Sequence, residues 1–218
     1  MSQVYRKRIS RRFSRVASVI LFIAAAAQAV VAAELSRAQI EQRLAEARGK
    51  PIDLANLDLS GLDLSGLDLH GADFFSARLA GAKLAKADLS GANFTRTDLE
   101  NADFSGAAMK TATLYAALLD GANFTGADLS DSRIIGGGKG VNFRNAKLIG
   151  ADLGADPANQ GMVPVRAELP EAVFDGADLT RANLTHAVLT GATFTGALVT
   201  GARFDYAVLD GSNLSFGR

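Results

Sequence analysis

The side chains in this 218-residue sequence that could hold a metal or move a proton are two histidines, His70 and His186, and a series of aspartates opening with Asp53, Asp58, Asp63, Asp68 and Asp73. Metal sites need donors that converge, and local sequence supplies them at short characteristic spacings. The histidines lie far apart without a ligand-spaced partner, and the aspartates recur at an interval of five that matches no calcium loop. Gly136-Gly137-Gly138-Lys139-Gly140 has the glycine content of a phosphate-binding loop, but Gly140 follows Lys139 where Ser or Thr is needed for the metal. Cysteine is absent, which excludes disulfides, thiolate metal sites, cysteine nucleophiles and an acylated N-terminal cysteine. The expectation is therefore no catalytic residue, no metal and no cofactor.

The elements that carry these residues divide the chain in two. Residues 1–33 hold Arg6, Lys7, Arg8, Arg11, Arg12 and Arg15 and no acid, followed by an apolar run from Val16 to Ala33. A basic start, an apolar stretch and small residues at its end describe a secretory signal peptide, with cleavage after Ala33 or after Ala29. The apolar run of about 18 residues is at the lower edge of bilayer-spanning length, so an uncleaved anchor is the alternative. Taking the six bases of this segment from 23 leaves 17 against 23 acidic residues, a formal charge of −6 that disfavours nucleic acid as a partner. The expected location is the periplasm or outside the cell, with no stable membrane insertion after cleavage.

From Leu54 onward a large apolar residue falls at every fifth position: Leu54, Leu59, Leu64, Leu69, Phe74 and so on to Ile134. The series returns at Phe143, Leu148 and Leu153 and again from Phe174 to Leu214. Two residues earlier stands a small or apolar residue, and between the two there is often Asp or Asn, as in Ala87-Asp88-Leu89 and Ala122-Asn123-Phe124. A period of five turns an α-helix by about 500°, which scatters the leucines round its surface. In one long strand an odd period sends alternate leucines to opposite faces. What fits is a short extended unit whose Ala and Leu point inward, followed by a bend that resets direction, with glycine such as Gly91 at the corner. The result is a coiled solenoid.

Ala72-Asp73-Phe74, Ala87-Asp88-Leu89-Ser90-Gly91, Ala122-Asn123-Phe124-Thr125-Gly126 and Ala177-Asp178-Leu179-Thr180-Arg181 resemble the repeat of the pentapeptide-repeat proteins over roughly three quarters of the chain. The resemblance implies an all-β solenoid, a right-handed quadrilateral β-helix with four pentapeptides per coil. Phe74 and Phe94, Phe104 and Phe124, and Phe174 and Phe194 are each 20 apart, as rings stacked on one side would be. The resemblance also implies a further reading, because some members imitate DNA and inhibit type II topoisomerases. Here the export segment and Arg78, Lys83, Lys86, Arg96, Lys110 and Arg133, which interrupt the acidic faces, stand against that transfer.

A solenoid must close its ends. Ser36-Arg37-Ala38-Gln39 reads as a capping box, and Ile40, Leu44 and Ala47 as the apolar stripe of a helix ending near Gly49. The organisation expected is a signal peptide over 1–33, a capping α-helix over 34–50 and the β-helix over 51–216, with register breaks near 135–142 and 154–170. The last coil has no helix to cover it, so Phe216 folds over it or two copies meet there as a homodimer. The aspartates of the first coil form a solubilising collar without a compensating base.

Two surfaces are candidates for a partner. With 20 residues per coil, Ala55, Phe75, Thr95, Tyr115 and Ile135 form one outward column, of which Phe75, Tyr115 and Ile135 make a docking stripe. The segment from Gly154 to Pro170 holds three of the four prolines and offers a binding loop through Pro157, Asn159, Gln160, Met162 and Arg166. A coil filled with Ala and Leu has no concave pocket of a few hundred Å³, so the expected function is a non-enzymatic exported scaffold or protein-interaction module. DNA mimicry and an envelope enzyme using the 154–170 loop are the alternatives, and the partner is an unidentified protein or envelope component.

Overall fold

The computed structural model describes residues 35–155 and 165–217. How a five-residue unit bends is clear at Ala87-Asp88-Leu89-Ser90-Gly91. Ala87 and Leu89 are buried while Asp88 faces out, since alternate side chains of an extended segment leave opposite faces. Ala92 N–H then donates to Leu89 O at 3.0 Å across the corner. The third residue of that turn, Gly91, has φ of 69°, the left-handed geometry of a type II turn. Asn56, Asn101 and Asn145 take the same backbone at other corners, as the side chain that tolerates it best.

Four units close a coil, because each outward residue bridges in parallel to the one 20 residues on, as in Asp53 to Asp73 to Asn93 to Thr113. The ladder runs through seven complete coils and three sides of an eighth, each coil rising about 4.8 Å. Leu54 N–H donates to Asp73 O at 2.8 Å and Asp73 N–H to Ile52 O at 3.0 Å, a pattern repeated along the rod. Inside, Phe104, Phe124, Phe143, Phe174 and Phe194 stack with centroids 4.9 to 5.1 Å apart and planes within 10°. Phe94 stacks on Phe74 at 4.8 Å and meets Phe104 edge-on at 5.7 Å across the interior. Ring spacing therefore equals coil spacing, and every ring lies at full contact with the next.

Both register breaks preserve these columns. The ladder offset falls to 19 between Leu118 and Gly137, then rises to 31 between Gly137 and Glu168. Gly136 and Gly138 stand one coil above Ala117 and Leu119. A Cβ on Gly136 would lie 2.6 Å from Ala117 O, and one on Gly138 would lie 2.6 Å from Asp120 N, so here backbone fills the space that side chains fill elsewhere. The second break is shorter than the sequence suggests. Ala167 and Leu169 are fully buried at the small and central positions, so the repeat resumes at residue 167 and Pro170 occupies the next corner, a turn position where its fixed φ is favoured.

Helix α1, Arg37–Ala47, starts as its capping box predicts. Ser36 Oγ accepts the Gln39 N–H, and Ser36 N–H donates to Gln39 Oε1 at 2.7 Å. Ile40 is fully buried in the same core as the coils, and Leu44 and Ala47 pack beside it. The first coil widens to meet them by placing Ile52, Leu57, Leu62 and Leu67 where later coils have alanine. At the other end Phe216 folds over the last coil, its ring 5.8 Å from that of Phe194 and 6.1 Å from that of Phe204. It covers that coil only in part, leaving Leu214 45% exposed.

Candidate functional site

The outward aspartates and asparagines have a structural task that spacing alone does not reveal. In each, Oδ1 accepts the backbone N–H two residues on: Asp63 from Ser65 at 2.9 Å, Asp73 from Phe75 at 2.9 Å, Asn93 from Thr95 at 3.0 Å. This bond supports the chain as it enters the corner, which is why Asp and Asn, with the acceptor at that reach, are frequent there. Asn side chains also donate down the ladder, Asn93 Nδ2 to Asp73 Oδ1 and Asn123 Nδ2 to Asp103 Oδ1, both at 2.9 Å. The local signal was present as Asp or Asn two residues before a turn.

The first-coil collar is not uncompensated. Asp58 pairs with Arg78 at 3.1 Å, Asp63 with Arg37 at 3.3 Å and Asp68 with His70 at 2.7 Å. The base for Asp58 lies one coil up and the base for Asp63 on α1, partners invisible until the chain is coiled. Hydrogen bonds from the Ser60 hydroxyl and N–H hold the Asp58 carboxyl below the usual range, and those from Ser65 do the same for Asp63. The hydrogen bond that the His70 imidazole donates to the Asp68 carboxylate raises its pKa above the ordinary value. His70 also lines a cavity of about 100 Å³ between the end of α1 and the first coil, with Leu44, Ile52 and Asp68. That volume is well below the few hundred Å³ of a usual ligand site. Among the described residues no group of three or more His, Asp or Glu is arranged to hold a metal ion.

The structure brings together part of the expected stripe. Phe75 and Tyr115 are half-buried on the same corner column, two coils apart with Thr95 between them. The Arg133 guanidinium lies 5.2 Å from the centre of the Tyr115 ring. Ile135 does not belong to this surface, because it is fully buried. Its unit, Arg133-Ile134-Ile135-Gly136, is one residue short and makes no protruding two-residue turn, so nothing carries Ile135 outward. Of the loop residues, Pro157, Asn159, Gln160 and Met162 lie outside the described residues, as does the segment 1–33. Arg166 is described, with Nε 3.6 Å from Glu168 Oε1.

The spacing of the second histidine was weighed only against metal ligation, and its aromatic partner was missed. His186 stacks under Tyr206 at 4.9 Å, and Tyr206 is 80% exposed at its corner. Their separation of 20, the same that aligned the phenylalanines, was the available signal.

Comparison with known proteins bears on the repeat. A family model described as pentapeptide repeats matches in 8 copies, over residues 52–91, 72–110, 110–136, 166–196 and 177–215. No curated protein sequence matches the chain. Among solved structures it is similar to HetL, a pentapeptide repeat protein involved in heterocyst differentiation regulation from the cyanobacterium Nostoc sp. strain PCC 7120, at 27% identity and a TM-score of 0.32, covering 83% of this chain and 95% of that one. It is similar at 29% identity and a TM-score of 0.33 to a pentapeptide repeat protein of the Arabidopsis thaliana thylakoid lumen, covering 50% of this chain and 66% of that one. Trypsin-treated QnrB1, a plasmid-mediated fluoroquinolone resistance protein, is similar at 20% identity and a TM-score of 0.45, covering 75% and 74% of the two chains. The matched repeats span more than half of the sequence and coincide with the 20-residue ladder, so the chain belongs to the pentapeptide-repeat family and its solenoid is a right-handed quadrilateral β-helix.

Proposed function

We propose that this chain is an exported, non-enzymatic scaffold that presents its β-helix to a protein or another component of the cell envelope. The observation that carries the reading is the pair of aromatic side chains, Phe75 and Tyr115, fixed on one corner column. Their backbones are held by the ladder, with Asn56 N–H donating to Phe75 O at 2.9 Å and Arg96 N–H to Tyr115 O at 2.8 Å. A partner that docks on them meets a preorganised surface and spends little free energy on ordering it. Arg166 and the loop residues Pro157, Asn159, Gln160 and Met162 provide a second contact on this reading.

Export rests on the basic and apolar segment of residues 1–33. Among the described residues no helix is long and apolar enough to cross a membrane. The reading is tested by proximity labelling from the protein in its own cells, with fractionation and N-terminal sequencing of the product. The expected result is a chain shortened at Ala33 or Ala29 in the periplasm or medium, with a discrete labelled partner lost in Phe75→Ser/Tyr115→Ser. An uncleaved chain retained in the cytoplasm, or a partner set unchanged by the double substitution, would overturn it.

A further inference from the structure

The bonds that stack one coil on the next have a polarity. On one side of each coil, N–H groups of the central residue and of the corner point toward the following coil: Leu64 N–H reaches Lys83 O at 2.7 Å and Gly66 N–H reaches Ala85 O at 3.0 Å. The matching carbonyls of the first coil are Asp63 O and Ser65 O. The Arg37 side chain of α1 fills both, Nη1 donating to Asp63 O at 3.1 Å and Nη2 to Ser65 O at 3.2 Å. Its Nε is held by Glu41 at 2.8 Å. One guanidinium thus supplies the two donors that a preceding coil would supply, while Ile40 closes the apolar section beside it.

The coil at the other end has what such a carbonyl edge accepts. The N–H groups of Phe204, Tyr206, Leu209 and Gly211 meet no backbone acceptor among the described residues. We infer that α1 is a stop against head-to-tail association, and that the partner it excludes from the first coil is the 203–214 edge of a second copy of this chain. Continuing the ladder across the junction sets Phe204 N–H against Asp53 O, Tyr206 N–H against Ala55 O and the Arg203 side chain beside Asp53. A head-to-tail contact does not close on itself and propagates into a filament.

The test uses the chain purified as its cells process it, followed by sedimentation velocity and electron microscopy. Arg37→Ala/Ile40→Ser/Leu44→Ser, which lifts α1, is expected to grow with concentration into linear assemblies several-fold heavier than the unsubstituted chain. Adding Leu209→Lys at the opposite edge is expected to abolish that growth. A triple variant with an unchanged β circular-dichroism spectrum and the sedimentation of the parent would overturn the inference, as would growth that persists with Leu209→Lys. Should the triple variant not fold, Ile40→Ser alone carries the test, since Ile40 is the buried anchor of α1 and its loss, read by proteolysis within 37–47, frees the helix from the first coil. Its self-association constant is expected to rise about tenfold, equivalent to about 1.4 kcal/mol, and an unchanged constant with α1 released would overturn the inference.

Discussion

At the outward position of each repeat, Asp and Asn are interchangeable for the turn and not for charge. Both put Oδ1 on the N–H two residues on, as Asp128 does with Ser130 at 3.2 Å and Asn123 with Thr125 at 3.2 Å. For Asp128, burial works to raise the pKa, but the Ser130 hydroxyl and N–H and the charges of Lys110 and Lys147 outweigh it and hold the carboxyl below its usual range. A carboxyl depressed in the folded state contributes stability that is complete above the unfolded pKa, about 3.9, and is lost as pH falls through the folded value. His70, raised by Asp68, has the opposite sign: its contribution is complete below the ordinary histidine value of about 6.5 and is lost as pH rises through the folded one. Melting temperature is therefore expected to hold from pH 6 down to about 5 and to drop below about 4. Asp128→Asn, which keeps the turn acceptor and removes the titration, is expected to shallow the acid limb, as thermal scans across pH 3 to 6 would read.

The unit that departs from the repeat shows what the other units require. In the short unit and the one after it, Gly136 and Gly138 are small because backbone from the coil below has moved into the side-chain space. Gly66 is small for another reason, since its φ is 69° and nothing lies within 4 Å of a Cβ built there. Gly138→Ala is expected to cost about 1–3 kcal/mol or more through overpacking. Gly66→Asn is expected to stay within about 0.5 kcal/mol, because Asn tolerates the left-handed region, and urea denaturation of the two variants would separate these causes. The same contrast marks what could be read from sequence. The period of five, the inward Ala and Leu and the helix cap were legible because each is a local pattern with one physical meaning. The burial of Ile135 was not, because a one-residue deletion changes where a corner points without changing residue type. Nor were the bases for Asp58 and Asp63, because Arg78 and Arg37 reach them across coils. Ala167 and Leu169 could have been read, as they stand five residues before Ala172 and Phe174, but prolines on both sides drew the segment into the loop.

The whole rod is quasi-one-dimensional, each coil touching only its neighbours, so continuity depends on what crosses the two register breaks. The ring column crosses both, since Phe143 lies 5.1 Å from Phe124 below and 5.0 Å from Phe174 above. Removing that ring is expected to cost about 3–5 kcal/mol and to uncouple the coils on either side. Phe143→Ala should then unfold in two steps, with a calorimetric enthalpy exceeding the van't Hoff value, whereas Phe143→Leu, which keeps the column filled, should unfold in one. The ladder offset of 31 across the second break, against 19 or 20 at every other step, has a consequence for engineering. Leu153 and Ala167 are both locked in the core, so the phase of every later coil is kept across the segment that joins them. The gap between them is a grafting port: a foreign loop inserted there starts and finishes at addresses already fixed, and the rod becomes a carrier whose other faces need no redesign.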